Sequence, residues 1–238
     1  MRAESKPSAA VGASSLYRRV VLKITGECFV TPARLSYVVR EIAAAAATGC
    51  ELAIVVGGGN IIRGRSARLV DRISADQAGM VATVVNGIIL ERALNRQLPA
   101  HHFSALEVAG IVPLFAATRV IERLSRQHVV VLSGGTGNPL FSTDTAAALR
   151  ACQLEAQAVL KGTKVKGVFS ADPLKDRRAR FLPRLTYQAA LRRRLGIMDA
   201  TAFSLCAENR IPIIVFDFFQ PGNLAGLIQG ERIGSMIC

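Results

Sequence analysis

The chain has 238 residues, half of them hydrophobic, and a formal net charge of +13. That length buries one substantial core, and that apolar content excludes a disordered chain. No apolar run approaches the ~20 residues of a membrane helix, so no membrane partner is expected. Aromatic residues are 5% of the chain and do not interleave with the arginine clusters at 177–180 and 192–194, so a nucleic-acid partner is not expected either.

Residues 1–15 are rich in Ser and Ala and read as a disordered tail; Glu4 and the short length argue against a transit peptide. From there strand and helix alternate. Tyr17–Ile24 is a predicted strand, and Pro32 opens a helix that runs to Thr48 and stops at Gly49. Leu52–Val56 is a buried strand. Asp76–Gln97 is a long helix, with Met80, Val84 and Ile88 at helical spacing. A short strand at Phe103–Leu106, a helix at Val120–Arg126 and a strand at Val129–Leu132 follow, then a helix at Thr143–Leu154 and a strand at Ala158–Leu160. Helices at Thr186–Leu195 and Ala200–Asn209, a strand at Ile213–Phe216 and a helix at Leu224–Ile228 complete the chain. This alternation predicts a three-layer αβα sandwich around a mostly parallel sheet, with 16–238 as one domain.

Three apolar strands run into glycine-rich or lysine-bearing turns: Lys23-Ile24-Thr25-Gly26-Glu27, Gly57-Gly58-Gly59-Asn60 and Gly134-Gly135-Thr136-Gly137. Bare amides at strand ends cradle phosphate oxygens, and in open α/β sheets ligands bind at the carboxyl ends of the strands. Lys23 and Arg63 place positive charge there. A Walker A loop, G-x-G-x-x-G, H-E-x-x-H and C-x-x-C are all absent, which removes the common P-loop, dinucleotide and zinc readings. No protein-held metal is therefore expected. The five cysteines are odd in number and scattered, as in a reducing, cytoplasmic protein.

Taken together, the motifs resemble those of bacterial-type UMP kinases in the amino acid kinase superfamily. Lys23-x-Thr25-Gly26-Glu27, Gly57–Gly64, Asp76–Thr83, Thr136–Asp144, Thr163–Pro173 and Met198-Asp199 occur in the family's order. The resemblance implies the amino acid kinase fold, also called carbamate kinase-like, and transfer of the ATP γ-phosphoryl group to UMP, giving UDP in pyrimidine nucleotide biosynthesis. It implies a Mg²⁺ ion carried with ATP, and a homohexamer. By the same resemblance Lys23, Arg63, Asp144 and Lys161 serve catalysis. Lys23, Thr25, Gly26, Gly58, Arg63, Thr163, Phe169 and Asp172 would bind ATP. Gly57, Asp76, Thr136, Gly137, Asn138, Pro139, Leu140, Phe141, Ser142 and Thr143 would bind UMP, and Asp199 would help order the transfer centre.

On the residues alone, Asp76 and Asp144 also read as acids at helix N-termini and Asp199 as a cap of the following helix. Two positions depart from the family pattern: Lys166 and Gln157 stand where Asp is common, which removes negative charge from the nucleotide half. The segment from Glu27 to Leu35 is short and lacks the family's glycine-rich stretch, so GTP control is not expected. These departures leave an alternative, a diverged paralogue that senses nucleotides with little or no catalysis.

Overall fold

The computed structural model describes residues 15–62, 71–171, 176, 178–192 and 197–238. Arg63, Asp172, Arg177, Arg193, Arg194 and the expected tail up to residue 14 lie outside them. The strands are β1 (Arg19–Ile24), β2 (Glu51–Val56), β3 (Ala100–Ser104), β4 (Val129–Ser133), β5 (Ala158–Thr163), β6 (Arg184–Leu185), β7 (Ile213–Asp217) and β8 (Ser235–Ile237). The helices are α1 (Pro32–Ala46), α2 (Arg72–Leu94), α3 (Ala117–Ser125), α4 (Thr143–Gln153), α5 (Tyr187–Arg192), α6 (Ala200–Glu208) and α7 (Asn223–Ile228). A 3-10 turn covers Gly26–Phe29.

The strands form one sheet in the order β3-β4-β2-β1-β5-β7-β8-β6. Its pairs are parallel except β7 with β8. The central strands are nearly unbroken apolar runs because both of their faces are covered. Val21, Ala53, Val55, Val130, Leu132 and Val159 face the layer of α3 to α6. Val20, Leu22, Ile24, Leu52, Ile54 and Leu160 face α1, α2 and α7. Ala146, Ala147, Ala148 and Ala151 of α4 are fully buried. Their small side chains let α4 lie close on the sheet, which brings its first turn to the ends of β1 and β5.

Chain order explains where a ligand can enter. β1 is central, β2 and β4 lie on one side of it, and β5 and β7 on the other. The loops leaving the carboxyl ends of these two sets diverge around β1, which is the switch point where ligands settle in open sheets.

Several boundaries differ from those expected. β1 begins at Arg19 rather than Tyr17, and α3 begins at Ala117, a turn before Val120. β3 spans Ala100–Ser104 rather than Phe103–Leu106. His101 and His102 broke its apolar pattern, yet His102 is buried and its Nε2 sits 2.7 Å from the Ser133 Oγ. A side chain on Gly87 would strike that ring at 2.4 Å, so α2 carries glycine there. β6 and β8, of two and three residues, are too short for periodicity to reveal. α2 starts at Arg72, capped by Asp71, whose carboxylate accepts the Ile73 and Ser74 amides. At 23 residues α2 has the length and apolar content of a membrane span. Its buried residues, however, include Thr83 and Asn86, which serve the site described next.

Candidate active site

Lys23 and Lys161 are register partners on adjacent parallel strands, so their side chains leave the sheet on the same face. That face is the one covered by α4. The Ser142 hydroxyl caps α4 by accepting the Asp144 and Thr145 amides. Asp144, in the first turn, then projects between the two lysines. Its Oδ1 is 3.0 Å from the Lys23 Nζ and its Oδ2 is 2.6 Å from the Lys161 Nζ. Burial pushes the Asp144 carboxyl up, but the two ammonium groups outweigh it and hold the pKa below the ordinary value. Burial lowers the pKa of Lys161, and the neighbouring Lys23 adds to this while Asp144 opposes it. Lys161 also donates to the Ile197 carbonyl.

Asp199 is the cap of α6, and it also bonds to the first turn of α4. Its Oδ1 accepts the Ala202 amide at 2.9 Å, which starts α6. The same carboxylate accepts the Thr145 hydroxyl at 2.7 Å and the Ser142 hydroxyl. The N-termini of α4 and α6 are thereby tied together beneath the lysines.

On the other side of β1, two glycine loops rest on α2. A side chain on Gly58 would meet the Gly79 carbonyl at 2.7 Å, and one on Gly26 would meet the Asn60 Oδ1 at 2.3 Å. These two glycines therefore let the loops interlock with each other and with α2. Asn86 is fully buried and donates to the Gly57 carbonyl at 2.7 Å and the Asn60 Oδ1 at 2.8 Å. Thr83 accepts the Gly134 amide at 2.7 Å. Gly134, Gly135 and Gly137 all have left-handed φ, which L side chains rarely adopt.

Asp76 lies in the second turn of α2, not at its start. Its Oδ2 accepts the Leu140 amide at 3.0 Å, across 64 residues of chain. It is therefore not a helix cap. Leu140 itself takes a φ of +73°, a strained conformation for a branched side chain. Gly58, Asp76, Phe141 and Thr143 line one cleft of about 170 Å³ together with Gly135 and Met80. Gly57 is buried directly before it, at the end of β2. Thr136 turns its hydroxyl onto the Asn138 amide at 3.2 Å and so shapes the Gly137–Pro139 turn.

Across β1, the Thr25 hydroxyl accepts the Glu27 amide at 3.1 Å and caps the 3-10 turn. Thr163 bonds to the Phe216 carbonyl at 3.0 Å, and Phe169 packs edge-on against Phe181 with ring centres 5.5 Å apart. Lys164 pairs with Glu27, joining the loops after β5 and β1. Neither departure takes part in the Lys23–Asp144–Lys161 bridge. Lys166 lies over the Phe181 ring at 5.0 Å. Gln157 precedes β5 and accepts from the Arg18 amide. It stands at the amino end of the sheet, roughly 13 Å along the strand from Lys161.

Reading by motif missed Asn86, and it gave no role of their own to Thr83 and Gly135, which lay inside two of the motifs. Two polar residues on one side of a long apolar helix were the available signal for the first two. Among the described residues no cluster of three or more acidic, His or Cys side chains forms a metal site.

The amino acid kinase family model matches residues 18–217. A uridylate kinase of Arabidopsis thaliana, the chloroplastic protein PUMPKIN, is 43% identical over 232 residues, 93% of this chain and 68% of that one. The crystal structure of a UMP kinase from Bacillus anthracis superposes with a TM-score of 0.89 at 29% identity, over 93% of this chain and 96% of the other. That of a UMP kinase from Ureaplasma parvum gives 0.86 at 33% identity, over 92% and 98%. With its sheet order, its paired lysines and these matches in agreement, the chain belongs to the amino acid kinase family.

Proposed function

We propose that the protein is a UMP kinase that transfers the ATP γ-phosphoryl group to UMP, giving ADP and UDP, and so serves pyrimidine nucleotide synthesis. The observation that carries this reading is the Lys23–Asp144–Lys161 bridge, set where the two groups of loops diverge around β1. UMP takes the cleft beside α2, through Gly57, Asp76 and the Thr136–Thr143 loop. ATP takes the opposite side, through Thr25, Gly26, Thr163 and Phe169, and Gly58, in the lining of the UMP cleft, meets its phosphates between the two nucleotides. Arg63 and Asp172 keep the nucleotide roles that their motifs imply.

The attacking group is a phosphate oxygen of UMP. A phosphate monoester has a second pKa near 6, so the nucleophile is already ionised at neutral pH and needs no strong base. The difficulty is repulsion between two polyanions and the charge that builds on the transferred group. Lys23 and Lys161 supply the compensating charge. Asp144 keeps the two ammonium groups from repelling each other and fixes their positions before substrate arrives. Such preorganisation requires no rearrangement during reaction. Mg²⁺ fits as a companion of the ATP phosphates, where it neutralises charge, since Asp144 is already engaged by both lysines and such ions take few protein ligands.

α2 exposes Ile73, Val81, Val85 and Ile89. An apolar face of this kind supports a homo-oligomer, and a hexamer is proposed by resemblance. The unpaired thiols favour a reducing compartment, and both the cytoplasm and a plastid meet that condition.

The test is ADP release by purified protein with Mg-ATP and UMP, CMP, AMP or no acceptor. Turnover with UMP above the others is expected. Tight nucleotide binding without turnover would instead select a sensor, which no finding now favours.

A further inference from the structure

Arg150 is 4% exposed and has no part in the reading above. It lies on α4, six residues beyond Asp144. Its guanidinium sits 3.9 Å from the centre of the Phe115 ring. One nitrogen donates to the Gln153 Oε1 at 2.6 Å, and the other to the Gly135 carbonyl at 3.3 Å. Among the described residues no carboxylate pairs with it. Burial draws its pKa down to about 10, so it remains a cation at neutral pH.

A buried charge with only neutral acceptors is costly, and an apolar side chain of similar volume would fill the same space more cheaply. Its contact with Gly135 is informative because Gly135 lines the acceptor cleft and has a φ of +60°. In a trans peptide the C=O and N–H point in opposite directions. Drawing the Gly135 carbonyl toward α4 therefore turns the Thr136 N–H away from α4. Among the described residues nothing accepts from that N–H.

We propose that Arg150 is a positioning residue for the acceptor: it locks the Gly135–Thr136 peptide so that the Thr136 amide is presented to an oxygen of the acceptor nucleotide. The inference rests on the UMP kinase reading and deepens it. Arg150 acts through the loop and touches neither nucleotide. The guanidinium suits this task because it stacks on Phe115 while its planar fork reaches two acceptors at once. A lysine at this position would keep the charge and lose the fork.

The test compares wild type, Arg150→Met and Arg150→Lys by steady-state kinetics with each substrate varied, and by thermal melting. Arg150→Met is expected to raise the KM for UMP by about tenfold, the cost of one misplaced amide donor. The KM for ATP should stay within about twofold, with Arg150→Lys intermediate for UMP. Equal changes in both KM values, or a lowered melting temperature with both unchanged, would reduce Arg150 to a structural tie and overturn the proposal. If Arg150→Met does not fold, the same split between the two KM values in Arg150→Lys decides it. A wild-type protein that neither binds nor phosphorylates UMP would sink the acceptor assignment and this inference with it. Normal wild-type turnover with unaffected variants would sink the inference alone.

Discussion

The two sides of β1 are built by different physical means. The proposed transfer centre is held by charge: one largely buried carboxylate on α4 between two ammonium groups, whose lysines are register partners on adjacent strands. The acceptor loops are held mainly by neutral hydrogen bonds from α2, through Asn86 and Thr83, and by glycines that allow close backbone approach. The centre must place cations where charge builds up, so its groups neutralise one another until substrate comes. The acceptor side must leave amides free to face a ligand, so its loops are pinned through carbonyls and a few chosen amides. On the proposed reading charge supplies the catalysis, while the shape of the acceptor loops comes mainly from neutral contacts, with Asp76 and Arg150 as the charged exceptions.

The contrast is easiest to break at Asp144. Asp144→Asn leaves two ammonium groups side by side without compensation. A loss of kcat of about 100-fold or more is expected, with about 3 kcal/mol of stability lost. Steady-state kinetics and denaturant unfolding measure the two effects, and near-normal turnover would remove Asp144 from the centre.

The neutral side has its own pH signature. Burial lowers the pKa of His102 to about 4, so the folded protein keeps it neutral while the unfolded chain protonates it near 6.5. The unfolded state therefore binds more protons, and stability falls as pH drops through that window. The expected loss is about 3 kcal/mol between pH 7 and pH 4. Asp144, with its lowered pKa, loses its contribution only at lower pH. Unfolding free energies measured across pH 4–7 should show this slope in wild type and a flatter one in His102→Gln.

Asn86→Leu sharpens the comparison further. It leaves the Gly57 carbonyl without its partner, which costs about 2 kcal/mol. The KM for UMP should rise with little change in kcat, the reverse of the Asp144 result. The smallest effect is expected at Asp76. Asp76→Asn keeps an acceptor for the Leu140 amide but removes the charge, so a rise of about tenfold or less in the KM for UMP is expected. An equal rise in the KM for ATP would place Asp76 outside the acceptor side.

Much of this arrangement was legible in the chain. The apolar runs of β1, β2, β4, β5 and β7 declare a sheet covered on both faces, and the glycines and lysines at their carboxyl ends mark the proposed ligand side. Helix starts were less legible, because a cap is a local contact: Asp71, not Asp76, accepts the first free amides of α2. β3 was misplaced because His102 is polar in the sequence but buried in the fold, where Ser133 and Gly87 accommodate it.

Sequence alone determined the fold class and pointed to a phosphate-binding type of site, since strand periodicity and the residue types after each strand are local properties. Tertiary structure decided the partners. Lys23 and Lys161 become neighbours only through strand register, and Asp144 reaches both only because small alanines let α4 lie close on the sheet. Asp76 meets Leu140 only because the glycine loop folds back over α2. Contacts between residues far apart in sequence depend on how whole elements pack, and no local pattern of residues encodes that packing.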